Sequence, residues 1–317
     1  MGGGTFVEEA LRVLPENVKK ILRQYTEMER STIEEIRMRI NRPLEIMING
    51  EPNFPLLNGQ TYFISKDDSS QMINKLSHYS LYALEEELKK GFVTIEGGHR
   101  VGLAGKVITL NGHVKAIRDI ASFNVRIAKQ KLGIAKPLVS YLYAGGWTNT
   151  IILGPPQSGK TTMLRDLTRI MAEGDDIRRI PSAKVGIVDE RSEIAGCVQG
   201  IPQHRLGNRV DVLDACPKAE GMMMMIRSMS PEILIVDEIG RKEDSEAIVE
   251  AINAGINLVV TVHGTSMDDL HRRPSMKALL NSGSFERIVE LSRKNGPGTI
   301  HAIKDKTGKE IRRKKVI

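Results

Sequence analysis

The stretch TNTIILGPPQSGKTTMLRDLTRIM, residues 148–171, decides the fold class. It reads as a short apolar strand over 151–153, a glycine-bounded loop, and a helix over 161–171. Residues 154–161, Gly-Pro-Pro-Gln-Ser-Gly-Lys-Thr, fit the pattern G-x-x-x-x-G-K-[ST] in the strand–loop–helix setting that gives it meaning. Successive backbone N–H groups in such a loop form an anion-binding concavity, and the following helix adds the positive end of its dipole. The expected phosphate cradle is Gly154, Pro155, Pro156, Gln157, Ser158, Gly159, Lys160, Thr161 and Thr162. Gly159 would let the backbone approach the phosphates, Lys160 would reach the β- and γ-phosphates, and the Thr161 hydroxyl would ligate Mg²⁺. The expected ligand is a nucleoside triphosphate, ATP, with Mg²⁺.

Downstream, apolar strands over 185–188, 233–236 and 258–262 and a helix over 243–254 describe a parallel sheet with helical crossovers. One or two further short strands follow within 285–303. Upstream the pattern differs. Residues 5–25 carry helical spacing broken by Pro15 into two short helices. Residues 33–40 and 44–48 alternate about Asn41-Arg42-Pro43 as a hairpin. A short strand is expected at 62–64, and one or two helices over 67–90. From 91 to 119 the period is two, with hairpin turns at Gly97-Gly98 and Asn111-Gly112. FNVRIA (123–128) reads as a further strand and KPLVSYLY (136–143) as a helix. The expected fold class is α/β: a P-loop domain with a mainly parallel sheet over 134–317, preceded by an α+β, mostly antiparallel domain over 1–133.

Composition narrows the classes. The chain of 317 residues is 40% hydrophobic and 4% aromatic, which argues against a base-stacking platform for single strands. No run approaches the ~18 apolar residues of a spanning helix. The opening MGGGTFVEEALRVL lacks a cationic flank before an apolar segment, so no secretory signal is expected. Cys197 and Cys216 make neither a disulfide framework nor a zinc quartet, which fits a cytoplasmic protein. The net charge is +7, but residues 301–317 carry seven Lys/Arg against two acids, leaving the rest of the chain nearly neutral. Met222 to Met225 reads as core packing beneath the neighbouring strand or as an adaptable subunit interface.

Three strands end in polar groups. Residues 233–236 run into Asp237 and Glu238. Asp237 would hold Mg²⁺ beside Thr161, and Glu238 would orient and deprotonate a water attacking the γ-phosphate. Residues 185–188 run into Asp189, Glu190, Arg191, Ser192 and Glu193, with Glu190 the rival candidate for that base. Residues 257–262 end at His263, and alternation puts Thr261 and His263 on one side, near the γ-phosphate. The catalytic candidates are thus Glu238, Glu190 and His263. Arg191, Arg205, Arg209, Arg227 and Arg241 are candidates to reach a neighbouring subunit's γ-phosphate.

GPPQSGKTT, IVDERSE, RSMSPEILIVDEIGR and AGINLVVTVHGTS resemble, in order, the phosphate loop, Asp box, Walker B strand and His box of the hexameric secretion and pilus ATPases. The resemblance implies a RecA-like fold and nucleotide sites closed between subunits. It also implies hydrolysis coupled to a protein machine at a membrane. In those terms Lys160 and Thr161 match the phosphate-loop pair, Glu238 the Walker B glutamate, Glu190 or Glu193 the Asp-box acid, and His263 the His-box histidine. Asp237 stands where that family usually has Gly, Arg241 is offset from the family's arginine, and the tetracysteine zinc insert of some members is absent. EEIRMRINRPLEIMING (34–50) and CPKAEGMMMMIRSMSPEILIVDEIGR (216–241) extend the similarity to a sporulation branch from endospore-forming bacteria. It implies partners in a secretion-like membrane channel, with the motor in the mother-cell cytoplasm and drawn to the membrane by them. A RecA-like nucleic-acid motor and a nucleotide-gated scaffold with negligible turnover are the alternatives.

Overall fold

The computed structural model describes residues 5–77 and 91–311. The expected helical segment beyond 77 and the basic end of the tail lie outside the described residues. The chain divides into two compact units, Met1–Lys129 and Gln130–Ile317.

In the first unit, α1 (Thr5–Val13) and α2 (Glu16–Leu22) are separated at Pro15, which sits at the N-cap of α2. Thr26 and Glu29 close a reciprocal capping box on α3 (Glu27–Thr32), which runs directly into β1 (Ile33–Arg39). Then come β2 (Glu45–Ile48), β3 (Glu51–Asn53), the two-residue strands β4 (Leu56–Leu57) and β5 (Gln60–Thr61), and α4 (Lys66–Leu76). β6 (Phe92–Ile95), β7 (His99–Leu110) and β8 (His113–Arg126) complete an antiparallel sheet of order β3-β2-β1-β8-β7-β6. Ile36, Met38, Ile46, Val101, Phe123 and Val125 face its core. Asn111 and Gly112 both take positive φ, as a two-residue hairpin turn requires.

Two expectations change here. Residues 123–126 are the continuation of β8, because the hairpin strand carries on past its arm and pairs with β1 as well as β7. Residues 62–64 form no strand; Phe63 makes a single bridge to Pro43, which has no N–H with which to extend a ladder.

The second unit holds α5 (Val139–Leu142), β9 (Thr150–Gly154), α6 (Lys160–Glu173), β10 (Val185–Asp189) and β11 (Val210–Asp214). Next are α7 (Lys218–Met229), β12 (Ile233–Val236), α8 (Lys242–Asn253) and β13 (Asn257–His263). α9 (Met267–His271), α10 (Pro274–Asn281), β14 (Arg287–Ser292) and β15 (Thr299–Asp305) follow. The sheet order is β11-β10-β12-β13-β9-β14-β15, parallel except for β15 at one edge. Helices cover both faces, which is why the central strands read as unbroken apolar runs. Ile152, Ile187 and Ile235 pack into one layer with Leu164 and Leu167 of α6. Ile151, Leu153, Leu234 and Val260 pack into the other with Met222, Met225 and Ile248. Two of the four methionines are therefore core, while Met224 is exposed. β11 was not expected from sequence.

Candidate functional site

The parallel strands deliver their C-terminal ends to one edge of the sheet, the place where open α/β sheets bind ligands. β9 ends at Gly154, and the chain loops through residues 155–159 before α6 begins at Lys160. The loop is built tightly. A side chain on Gly154 would strike Ser158 Oγ, and one on Gly159 would sit 2.7 Å from the Gly298 nitrogen. Gly159 also has φ of +87°, a left-handed conformation that favours glycine. The Gly298 N–H donates to the Ser158 carbonyl at 2.8 Å, so the turn between β14 and β15 braces the loop from behind.

A cleft of about 560 Å³ lies against this loop, lined by Pro156, Gln157, Gly159–Thr162, Glu193, Glu238, His263 and Pro297. A larger hollow, about 740 Å³, lies between α8 and α10 over Val249, Ala278 and Leu279, and includes none of the loop's residues. The Lys160 ammonium donates to the Gly154 and Pro155 carbonyls (2.9 and 3.1 Å) and lies 3.1 Å from His263 Nδ1. Burial pushes its pKa down, while Asp237 and Glu238 pull it up.

Asp237 is buried, and both its oxygens accept hydroxyl protons: Oδ2 from Thr161 at 2.8 Å, Oδ1 from Thr261. Burial raises its pKa against the pull of those two bonds. The Thr261 hydroxyl also accepts the Glu238 N–H at 2.8 Å, which anchors Glu238 in its left-handed backbone conformation (φ 53°). Thr261 is fully buried. It therefore lies under the acids and supports them, instead of facing the cleft beside His263 as alternation suggested. His263 does line the cleft, with Nε2 at 2.6 Å from Glu238 Oε1.

The Asp-box segment separates its two candidate acids. Glu190 turns to Lys218 at the start of α7, which holds its carboxyl below the usual range, and it does not line the cleft. Glu193 does. The reason is Asp189, a buried carboxylate that accepts the N–H groups of Glu193, Ile194 and Ala195 at 2.8–2.9 Å. Burial pushes Asp189 up to about 6 despite those donors. From the other side Arg165 of α6 donates to the Glu193 and Ile194 carbonyls at 2.7 Å. These two supporting residues and the 293–298 turn were missed in the sequence. The Asn-Gly-Pro-Gly run at 295–298 was the available signal for the turn.

The arginines disperse. Arg191 pairs with Glu238 at 2.7 Å, Arg205 with Glu173 at 3.4 Å, and Arg209 with Ser182 at 2.8 Å. Arg241 stands at the N-cap of α8, and Arg227 in the last turn of α7.

A parallel sheet ending in this loop, with the buried Asp237 and the adjacent Glu238 at the C-terminal end of β12, one strand removed from β9, defines a P-loop protein of RecA-like fold. The fold is similar to the ATPase DotB of Yersinia pseudotuberculosis, at TM-score 0.57 and 15% identity, covering 88% of this chain and 76% of that one. It is also similar to the pilus retraction motor PilT, solved with bound ADP, at TM-score 0.55 and 16% identity, covering 81% and 74%. At such identities the likeness is one of fold. Sequence goes further: the chain belongs to the family described as Sporulation stage III, protein AA, whose model matches residues 6–311. It is 57% identical over 307 residues to Stage III sporulation protein AA of Bacillus subtilis (strain 168), covering 97% of this chain and 98% of that relative.

Proposed function

We propose that this chain is an ATP-hydrolysing motor of sporulation that oligomerises, as a hexamer, and energises assembly of, or transport through, a secretion-like membrane channel. The observation that carries the reading is the convergence of Lys160, Thr161, Glu238 and Glu193 on one cleft, with the buried Asp237 bonded to Thr161 behind it. A pair of acids after the strand suits hydrolysis, because one can hold a metal while the other activates water.

The residues fit the ligands. Glycines at 154 and 159 leave no room for side chains, so the loop offers its backbone N–H groups to phosphate. Thr161 Oγ1 and Asp237 Oδ2, 2.8 Å apart, would hold Mg²⁺. Among the described residues no group of three or more His, Cys, Asp or Glu is placed to hold a metal, so the remaining ligands would be phosphate oxygens and water. Bound there, Mg²⁺ would neutralise charge developing on the transferred phosphoryl oxygens.

Lys160 would exchange its contacts with the loop carbonyls and His263 for the β- and γ-phosphates. Glu238 would take the proton of the attacking water, and Thr261 would keep that carboxylate in place through its backbone N–H. A neighbouring subunit's arginine would complete the charge balance. Among the described residues no helix is long and apolar enough to cross a membrane. In this reading the motor works from the mother-cell cytoplasm and reaches its channel through a membrane-embedded partner.

Mg²⁺-dependent ATP hydrolysis and ATP binding by the wild type, Lys160→Ala and Glu238→Gln test this. Lys160→Ala should lose binding. Glu238→Gln should still bind and turn over about 100-fold more slowly or worse. Equal turnover in Glu238→Gln and the wild type would refute the assignment, and binding without turnover in the wild type would favour a scaffold. DNA- or RNA-stimulated turnover would favour a nucleic-acid motor.

A further inference from the structure

Both carboxylate oxygens of Glu238 are engaged by the chain itself. Arg191 Nη1 donates to Oε2 at 2.7 Å, and His263 Nε2 meets Oε1 at 2.6 Å. An ammonium can only donate, so Lys160 Nζ, 3.1 Å from His263 Nδ1, makes that nitrogen the acceptor and Nε2 the one that carries the proton to Glu238. Lys160 has three N–H donors, and its three partners are His263 and the carbonyls of Gly154 and Pro155. A continuous hydrogen-bonded path thus runs Lys160–His263–Glu238–Arg191. It starts in the phosphate loop and ends on a guanidinium whose side chain is 63% exposed.

We infer that Arg191 is a latch on Glu238, and that the path from Lys160 opens it when a nucleoside polyphosphate arrives. The inference rests on the ATPase reading above. A phosphate that claims Lys160 withdraws the N–H from His263 Nδ1. His263 then loses the contact that fixes its ring against Glu238, and the Glu238 carboxylate gives up one of its two partners. Glu238 is left free to turn an oxygen toward a water in the cleft. Arg191 acts through Glu238 and is a positioning residue. Its exposure leaves it within reach of whatever closes over the site.

Linkage makes this measurable without turnover: if nucleotide opens the latch, deleting the latch must tighten nucleotide by the same factor. The expected gain for Arg191→Gln is about 2–5-fold in Kd, which converts to about 0.4–1 kcal/mol and lies in the range of a solvent-exposed ion pair. The experiment is equilibrium titration of the full chain with a fluorescent ATP analogue and Mg²⁺, together with steady-state kcat and KM. Wild type, Arg191→Gln, Arg191→Lys and Lys160→Ala are compared. Arg191→Gln should bind about 2–5-fold more tightly than wild type with kcat at least as high, and Arg191→Lys should restore the wild-type Kd. A Kd for Arg191→Gln at or above that of the wild type, or a kcat below it, overturns the latch. A fall in kcat of about 1,000-fold with Kd unchanged would make Arg191 a group acting on the phosphates directly. If the wild type binds and Lys160→Ala does not, the ATP-site reading survives whatever Arg191 does; if the wild type binds no nucleotide, both readings fall.

Discussion

Replacing Thr261 by Val isolates the support under the two acids, because it deletes one hydroxyl and keeps the branched shape. That hydroxyl is fully buried; it donates to Asp237 Oδ1 and accepts the Glu238 N–H. The variant leaves a buried carboxylate oxygen and a buried amide each short of a partner, at about 1–3 kcal/mol per group. The expected loss is therefore about 2–6 kcal/mol, concentrated in the second unit, with a fall in melting temperature of about 4–24 °C. Thr261→Ser keeps the hydroxyl and should cost only about 1 kcal/mol, from one missing methyl. Urea unfolding of the three proteins, followed by circular dichroism, reads the difference. A Thr261→Val protein within about 0.5 kcal/mol of the wild type would refute the reasoning, since surface-like tolerance is incompatible with a shared buried hydroxyl.

Other outcomes follow from the same geometry. Asp189 titrates near 6 in the fold against an ordinary value of 3.8, so the native state holds this proton more tightly than the unfolded chain does. Its contribution to stability is fully present below pH 4 and is lost as pH rises to about 6, a change of about 3 kcal/mol. Wild-type stability measured by urea at pH 4, 5, 6 and 7 should lose about that amount relative to Asp189→Asn; parallel curves would contradict it. Glu193→Gln should reduce turnover by about 10-fold or more, and Glu190→Gln by less, because Glu193 lines the cleft and Glu190 is held by Lys218. The reverse order in steady-state ATPase assays would restore Glu190 as the acid. Gly159→Ala imposes a left-handed backbone on a residue with a Cβ, 2.7 Å from the Gly298 nitrogen, and should cost about 2–4 kcal/mol together with nucleotide binding. Calorimetric unfolding within 1 °C of the wild type would show that the loop yields without cost.

The sheet of the second unit was largely legible in the sequence, because strands buried on both faces appear as unbroken apolar runs such as Ile233-Leu-Ile-Val236. β11 escaped for the opposite reason: it is an edge strand, Val-Asp-Val-Leu-Asp, without a fully buried residue. In the site, motif spacing brought together Lys160, Thr161, Asp237, Glu238 and His263. Strand parity could not tell Glu190 from Glu193, since the chain leaves β10 through Ser192 at a positive φ of 53° and is then captured by Asp189. Parity failed at Thr261 for a related reason. Glu238 bends back over the end of β13, and the threonine ends up beneath it. Contacts from distant segments, such as Arg165 on the Glu193 carbonyl or Gly298 on Ser158, carry no local pattern at all.

The most direct test of the central claim is ATP turnover per chain measured across protein concentration with Mg²⁺, beside sedimentation velocity on the same samples. An oligomeric motor whose sites are completed by a neighbouring subunit predicts turnover that rises cooperatively as the larger species forms, and none in Lys160→Ala. Turnover per chain that stays constant while the protein remains a monomer would contradict it.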